Sequence, residues 1–236
     1  MSDHLTRKEL KTDQVAVTVE HGVHYFASHK QQVTKIASIV VAVAIVAGGF
    51  YWYRGAQSTA RQAALAEAFA AEATPVSVQQ VGGPPTFATD KAKKEAVDKA
   101  FQKVQSEFSG SDEAYVAEYY LAAIDVDDAK MDSAKKRYQD VADHAGKNYA
   151  SLAKLALAQI LFAENKGADA EKMLRDLMEN PTDLVSKNEA AITLAHGIIA
   201  TKPDEAKKLL TPIASQVESK EAPIAANLMS EANVKK

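Results

Sequence analysis

Few side chains in this chain could do chemistry, and none stands at a spacing that chemistry requires. The 236 residues include no cysteine, which removes thiol catalysis, thiolate metal ligation and disulfides together. Four of the six histidines, His4, His21, His24 and His29, fall near the start of the chain. His21 and His24 share a helical face at i, i+3. A metal site needs more ligands held rigidly, and Glu20 is the one carboxylate in register, so these histidines read as interfacial polar groups and no metal is assigned. Asp125, Asp127 and Asp128 form a DVDD cluster at a helix end. Without a loop glycine and a distal glutamate, that cluster is a solvated turn and not a calcium loop. Gly82-Gly83 precedes two prolines, which suits a turn better than a helix N-terminus cradling phosphate. His144 falls near a helix end, where a cation is mildly favoured. No G-x-S-x-G, H-E-x-x-H or phosphate loop occurs. The expectation is therefore a protein with no catalytic residues and no cofactor, one that is not an enzyme.

A chain without chemistry is organised by its elements. Alanine is abundant, with 10 glycines, 7 prolines and 7% aromatics, a composition that favours helix over strand. The net charge of −3 gives no basic footprint for nucleic acid. The most distinctive stretch is 36–53, IASIVVAVAIVAGGFYWY, which carries no charge between Lys35 and Arg54. Eighteen helical residues rise roughly 27 Å, close to the hydrocarbon thickness of a bilayer. Phe50, Tyr51, Trp52 and Tyr53 gather at one end, where an interfacial aromatic belt belongs. The spacing predicts a single transmembrane helix over 36–53, an uncleaved signal anchor. Within it, Ala44 and Gly48 form a small-xxx-small pair that lets helices approach closely.

The preceding tail, 1–35, carries Arg7, Lys8, Lys11, Lys30 and Lys35, against only Arg54 and Arg61 in the twenty residues after the span. That asymmetry predicts a cytoplasmic N-terminus. Thr6-Arg7-Lys8-Glu9 has the form of a capping box. Val15, Val19, Val23 and Phe26 then fall near one face, as in a short amphipathic helix lying on a membrane or a partner. After the span, 54–89 reads as an alanine-rich helical stalk ended by Pro75, whose Leu65, Phe69 and alanines are able to pack on the following domain, and then an uncharged linker, TPVSVQQVGGPPTFAT, with three prolines and two glycines.

From position 90 to 236 the pattern is helical and it repeats. A-x-x-x-L-A occurs at Ala117, Ala153 and Ala190, spaced by 36 and 37, with a looser copy at Ala225. A second motif begins at Ala134 (Tyr138, Val141), Ala170 (Leu174, Leu177) and Ala206 (Leu210, Ile213), spaced by 36 both times, and Val97, Phe101 and Val104 give an earlier copy. Two interleaved motifs at one period mean a pair of helices per repeat. These residues resemble the tetratricopeptide repeat family. Its large-then-small pair in the first helix corresponds to Leu121-Ala122, Leu157-Ala158 and Leu194-Ala195, and its second-helix small residue to Ala134, Ala170 and Ala206. The family's tryptophan and helix-ending proline are mostly missing, although Pro181 closes one repeat. The expected fold is all-α: one transmembrane helix, then a tetratricopeptide-like α-solenoid.

The layout of tail, span and divergent repeats resembles the ancillary SecYEG translocon subunit family (YfgM-type). That resemblance implies a single-pass protein of the bacterial inner membrane with its repeats in the periplasm. It implies translocon subunits, periplasmic chaperones or unfolded clients as partners. The rival expectation is a structural scaffold for cell-envelope or division assemblies. No residue pattern sets an oligomeric state.

In repeat arrays the first helices line a groove. Counting two before and two or five after each repeat leucine selects Tyr119, Ala123 and Val126, then Leu155, Gln159 and Phe162, then Ile192, His196 and Ile199. This set has almost no charge, which suits an amphipathic helix or an unfolded segment better than an acidic peptide tail. The alternative is that 57–73 or 222–234 of the same chain already fills the groove.

Overall fold

The computed structural model describes the backbone of residues 30–77, 85–216 and 218–234, without the side chains of 30–42, 47, 50–56 and 234. Among the described residues there are nine helices and no strand beyond one isolated bridge, Val76 to Phe87. They are α1 (Lys30–Ala73), α2 (Asp90–Glu107), α3 (Asp112–Asp127), α4 (Met131–His144), α5 (Lys147–Ala163), α6 (Gly167–Glu179), α7 (Lys187–Ile198), α8 (Pro203–Ala214) and α9 (Ala222–Val234). The expected amphipathic tail helix and the histidines His4, His21, His24 and His29 lie outside the described residues.

The chain divides into two compact units, Met1–Thr59 and Ala60–Lys236. In the first, the backbone is helical from residue 30, and Val43, Ile45 and Val46 are exposed. Ala44 and Gly48, the expected packing pair, are exposed too, and a Cβ added at Gly48 would meet nothing within 4 Å. Most side chains of 36–53 lie outside the described set. Among the described residues, no helix is long and apolar enough to cross a membrane.

The second unit is the repeat array. Three of its helices, α2, α3 and α7, start where a side chain satisfies an orphan N–H group of the first turn. Ala92 N–H donates to Thr89 Oγ1 (3.1 Å), Ala114 N–H to Ser111 Oγ (3.2 Å) and Glu189 N–H to Ser186 Oγ (3.0 Å). Pro203 opens α8, where its missing N–H costs nothing. The turns after α3 and α5 are built alike. Ala129 and Asn165, 36 positions apart, both adopt positive φ (57° and 61°). The next amide then bonds back to a carbonyl five residues earlier, Lys130 N–H to Asp125 O and Lys166 N–H to Leu161 O, both at 2.8 Å.

The repeat motif is the core. Ala122, Ala158 and Ala195 in the first helices and Ala134, Ala170 and Ala206 in the second are all fully buried, and Leu121, Leu157 and Leu194 pack beside them. The small residues let paired helices touch and the leucines fill the gap between pairs. First helices α3, α5, α7 and α9 lie side by side, each touching the next, while α4, α6 and α8 pair with the helices on either side of them.

The array begins earlier than the expected boundary at residue 90. Ala68 of α1 is fully buried in one cluster with Val97, Phe101, Val104, Ala117 and Leu121. Phe69 meets Phe101 and Tyr120 edge to face at 5.6 and 5.0 Å, and Arg61 pairs with Glu113 at 3.1 Å. The segment read as a stalk therefore acts from Ala60 as the first helix of a further pair. The 74–89 connection inserted before α2 hides that pairing from a search at constant period.

Candidate protein-binding groove

The nine residues expected to line a groove do not share one surface. Four of them do: Gln159 and Phe162 of α5 and Ile192 and His196 of α7 line a cavity of about 660 Å³. Ala163, Thr193 and Gly197 complete those two walls, and Ile224 and Leu228 of α9 form the third. None of these nine side chains is a carboxylate, a lysine or an arginine. Ile224 is 52% exposed, an uncommon setting for a large aliphatic side chain in a folded unit. Helix α9 is thus a wall of the cavity and not its plug. The described part of 57–73 packs on α2 and α3 instead.

Phe162 shapes this cavity. Its ring lies directly on the backbone of Gly197: a Cβ added there would come within 2.2 Å of the ring, and one at Gly167 within 3.7 Å. Glycine is a poor residue within a helix, yet at position 197 no side chain could coexist with Phe162 as it sits.

The remaining expected groove residues are placed elsewhere. Leu155 and Ile199 are core, 8% and 4% exposed, packed with Leu194, Ile198 and Leu210. Helix α5 has a neighbour on each side, so its Leu155 faces the next first helix. Ile199 stands one residue past the end of α7, where the chain turns inward. Ala123 and Val126 are half-buried on α3. Tyr119 belongs to an aromatic cluster, with ring centroids 5.4 Å from Tyr138, 5.7 Å from Tyr149 and 5.6 Å from Tyr120. Burial pushes the Tyr119 hydroxyl above its ordinary value and that of Tyr120 up to about 12.

One charged cluster was missed by sequence reasoning. Glu118 and Asp125, seven apart on α3, are each 8% exposed. Both accept from Arg137 of α4: Nη1 to Glu118 Oε1 and Nε to Asp125 Oδ2, each at 2.9 Å. Ser133 Oγ donates to Asp125 Oδ2 at 2.6 Å and the Lys130 ammonium lies 3.9 Å from Oδ1. The other oxygen of Glu118 is buried without a hydrogen-bond partner. Burial raises the Glu118 carboxyl above the usual range, partly offset by Arg137. Asp125, the first residue of the DVDD cluster, thus serves α3–α4 packing. Asp128, the last, pairs with Lys94 of α2 and Lys130. The repeat period held a signal. Glu118, Asp125 and Arg137 correspond to Lys154, Leu161 and Met173 one repeat on, and to Ala191, Ile198 and Leu209 after that.

Among the described residues, no three His, Asp or Glu side chains converge as a metal site. In comparisons with known proteins, residues 24–181 match the family described as tetratricopeptide repeat-like domain. No curated protein and no solved structure matches the chain.

Proposed function

The chain belongs to the tetratricopeptide repeat-like domain family, and we propose that its array binds a polypeptide segment in the cavity between α5, α7 and α9. Domains of this family are in general protein-binding modules without catalysis, and no enzymatic family is indicated. The observation that carries the assignment to this cavity is its lining: Phe162, Ile192, Ile224 and Leu228 around an opening of about 660 Å³ with no formally charged side chain. Such a lining suits the apolar face of an amphipathic helix or an apolar stretch of unfolded chain, and offers nothing to a C-terminal carboxylate.

The finer reading places this module on a membrane. The uncharged run 36–53 between Lys35 and Arg54, the aromatics at its end and the basic bias of the tail support a single-pass anchor with the N-terminus in the cytoplasm and the array in the periplasm. In that setting the partners are translocon subunits, periplasmic chaperones or clients emerging unfolded. The resemblance to the ancillary translocon subunit family supports this reading over an envelope or division scaffold. Crosslinking in cells followed by identification of the adducts separates them. Recovery of translocon subunits or chaperones is the expected result, and recovery of wall-synthesis or division proteins alone would overturn the finer reading while leaving the binding cavity in place.

A further inference from the structure

We propose that the contact between α3 and α4 is a proton-operated latch: Glu118, the buried carboxylate left with one unbonded oxygen, takes up a proton as the pH falls, and the two helices then hold each other more firmly. The cluster contains two enclosed carboxylates and one guanidinium shared between them. Asp125 is the better served, since Ser133 and Lys130 supply further donor and charge. Glu118 has Arg137 alone on Oε1 and nothing on Oε2. The remaining charge around it is mostly adverse. Asp125 on its own helix and Asp140 on α4 both disfavour its ionised form. Asp132, Lys135 and Lys136 of α4 stand further along the same depression of about 760 Å³, and α5 and α6 contribute only Leu157, Leu161 and Met173. Glu118 is therefore the less well served carboxylate of the two.

The fold does not require charge here. At the positions of Asp125 and Arg137 the next two repeats hold Leu161 and Met173, then Ile198 and Leu209, with Ile198 buried in the core and the other three packed against it; at the position of Glu118 they hold Lys154, then Ala191. Two enclosed carboxylates around one guanidinium thus occur at this place in one repeat and at the matching places in neither of the next two. The direction follows from linkage. The folded chain holds the Glu118 proton more tightly than the unfolded chain, because burial raises its folded-state value. Between the ordinary carboxylate value and that raised value, the folded state carries the extra proton. The contribution to stability is present at the lower pH and lost as pH rises. Helix α3 also carries Tyr119, Ala123 and Val126, so the latch governs how firmly that stretch of the array is held.

The test is hydrogen exchange of the full chain at about pH 7.5 and about pH 5.5, corrected for intrinsic rates. It compares peptides of α4 with peptides of α6, the equivalent helix of the next repeat. Wild type should gain protection in α4 relative to α6 at the lower pH. Glu118→Gln, which mimics the protonated acid, should give the higher relative protection at both values. Should that variant fold poorly, Glu118→Ala must still remove the pH response of α4. A wild-type α4-to-α6 ratio that does not change with pH, or a Glu118 variant that keeps the wild-type response, would overturn the latch.

Discussion

At the scale of single residues, two backbone positions are set by close approach and by conformation. Gly197 exists for Phe162. Gly197→Ala in the wild-type chain sets a helix-propensity gain of about 1 kcal/mol against expulsion of the ring, which as overpacking costs about 1–3 kcal/mol. The net expected result is destabilisation. In a Phe162→Ala background the clash is gone, and the same change should stabilise by up to about 1 kcal/mol. Denaturant melts of the four proteins in this cycle check the sign change, and a Gly197→Ala effect of equal sign in both backgrounds would contradict the packing described. Ala129 holds a positive φ that an L side chain rarely adopts, so Ala129→Gly should raise stability by about 0.5–1 kcal/mol by the same melts. Ala158, fully buried between paired helices, should lose about 1–3 kcal/mol as Ala158→Leu.

These residues also mark what could be read from the sequence. The repeat alanines were legible because close helix packing demands a small side chain at a fixed place in every turn of the array. The groove was half legible. A fixed offset from each leucine finds Phe162, Ile192 and His196, but it treats a helix with two neighbours like one with a single neighbour, and so places core Leu155 on the surface. The Glu118–Arg137–Asp125 cluster was not legible from helical periodicity, since it depends on two helices meeting. Only the contrast of Asp125 and Arg137 with Leu161 and Met173, then Ile198 and Leu209, in later repeats could have revealed it.

At the scale of elements, charge plays two opposite parts. Between α3 and α4 the ionic cluster stands where the next two repeats use apolar side chains at the Asp125 and Arg137 positions. Arg137→Met alone leaves two buried carboxylates facing each other and should cost at least about 2 kcal/mol. Converting all three positions to the apolar residues of later repeats, with Asp125→Leu and Arg137→Met as in the next repeat and Glu118→Ala as in the one after it, should be near neutral or stabilising. A melt in which the triple variant is weaker than Arg137→Met would contradict this view. Further along, Glu171 of α6 accepts from Lys202 at 2.6 Å, and Arg175 reaches Glu205 of α8 at 2.5 Å. The Lys202 hydrogen bond lowers the Glu171 carboxyl below its usual value. Its contribution is therefore present above the ordinary carboxylate value and lost as pH falls through the lowered one, the reverse of Glu118.

At the scale of the whole molecule, the boundary of the array decides which fragment is a stable unit. A chain beginning at Ala60 keeps Ala68 and Phe69 over Phe101 and Tyr120. One beginning at Asp90 leaves that apolar cluster open, and should melt earlier and bind hydrophobic dyes more strongly. Sequence periodicity could not find this edge, because the inserted 74–89 connection shifts the first pair out of register.

The central claim is that the cavity between α5, α7 and α9 receives another polypeptide. The most direct measurement places a photo-crosslinking amino acid at His196, which lines the cavity and is exposed, and in a second protein at Lys208, exposed and outside that lining. Both are irradiated in cells with the full chain. The account predicts a discrete protein adduct from position 196 that is absent from 208 and is lost when Ile192→Glu puts a charge into the cavity wall. Identical adducts from both positions, or an adduct at 196 that survives Ile192→Glu in a protein that still folds, would contradict it.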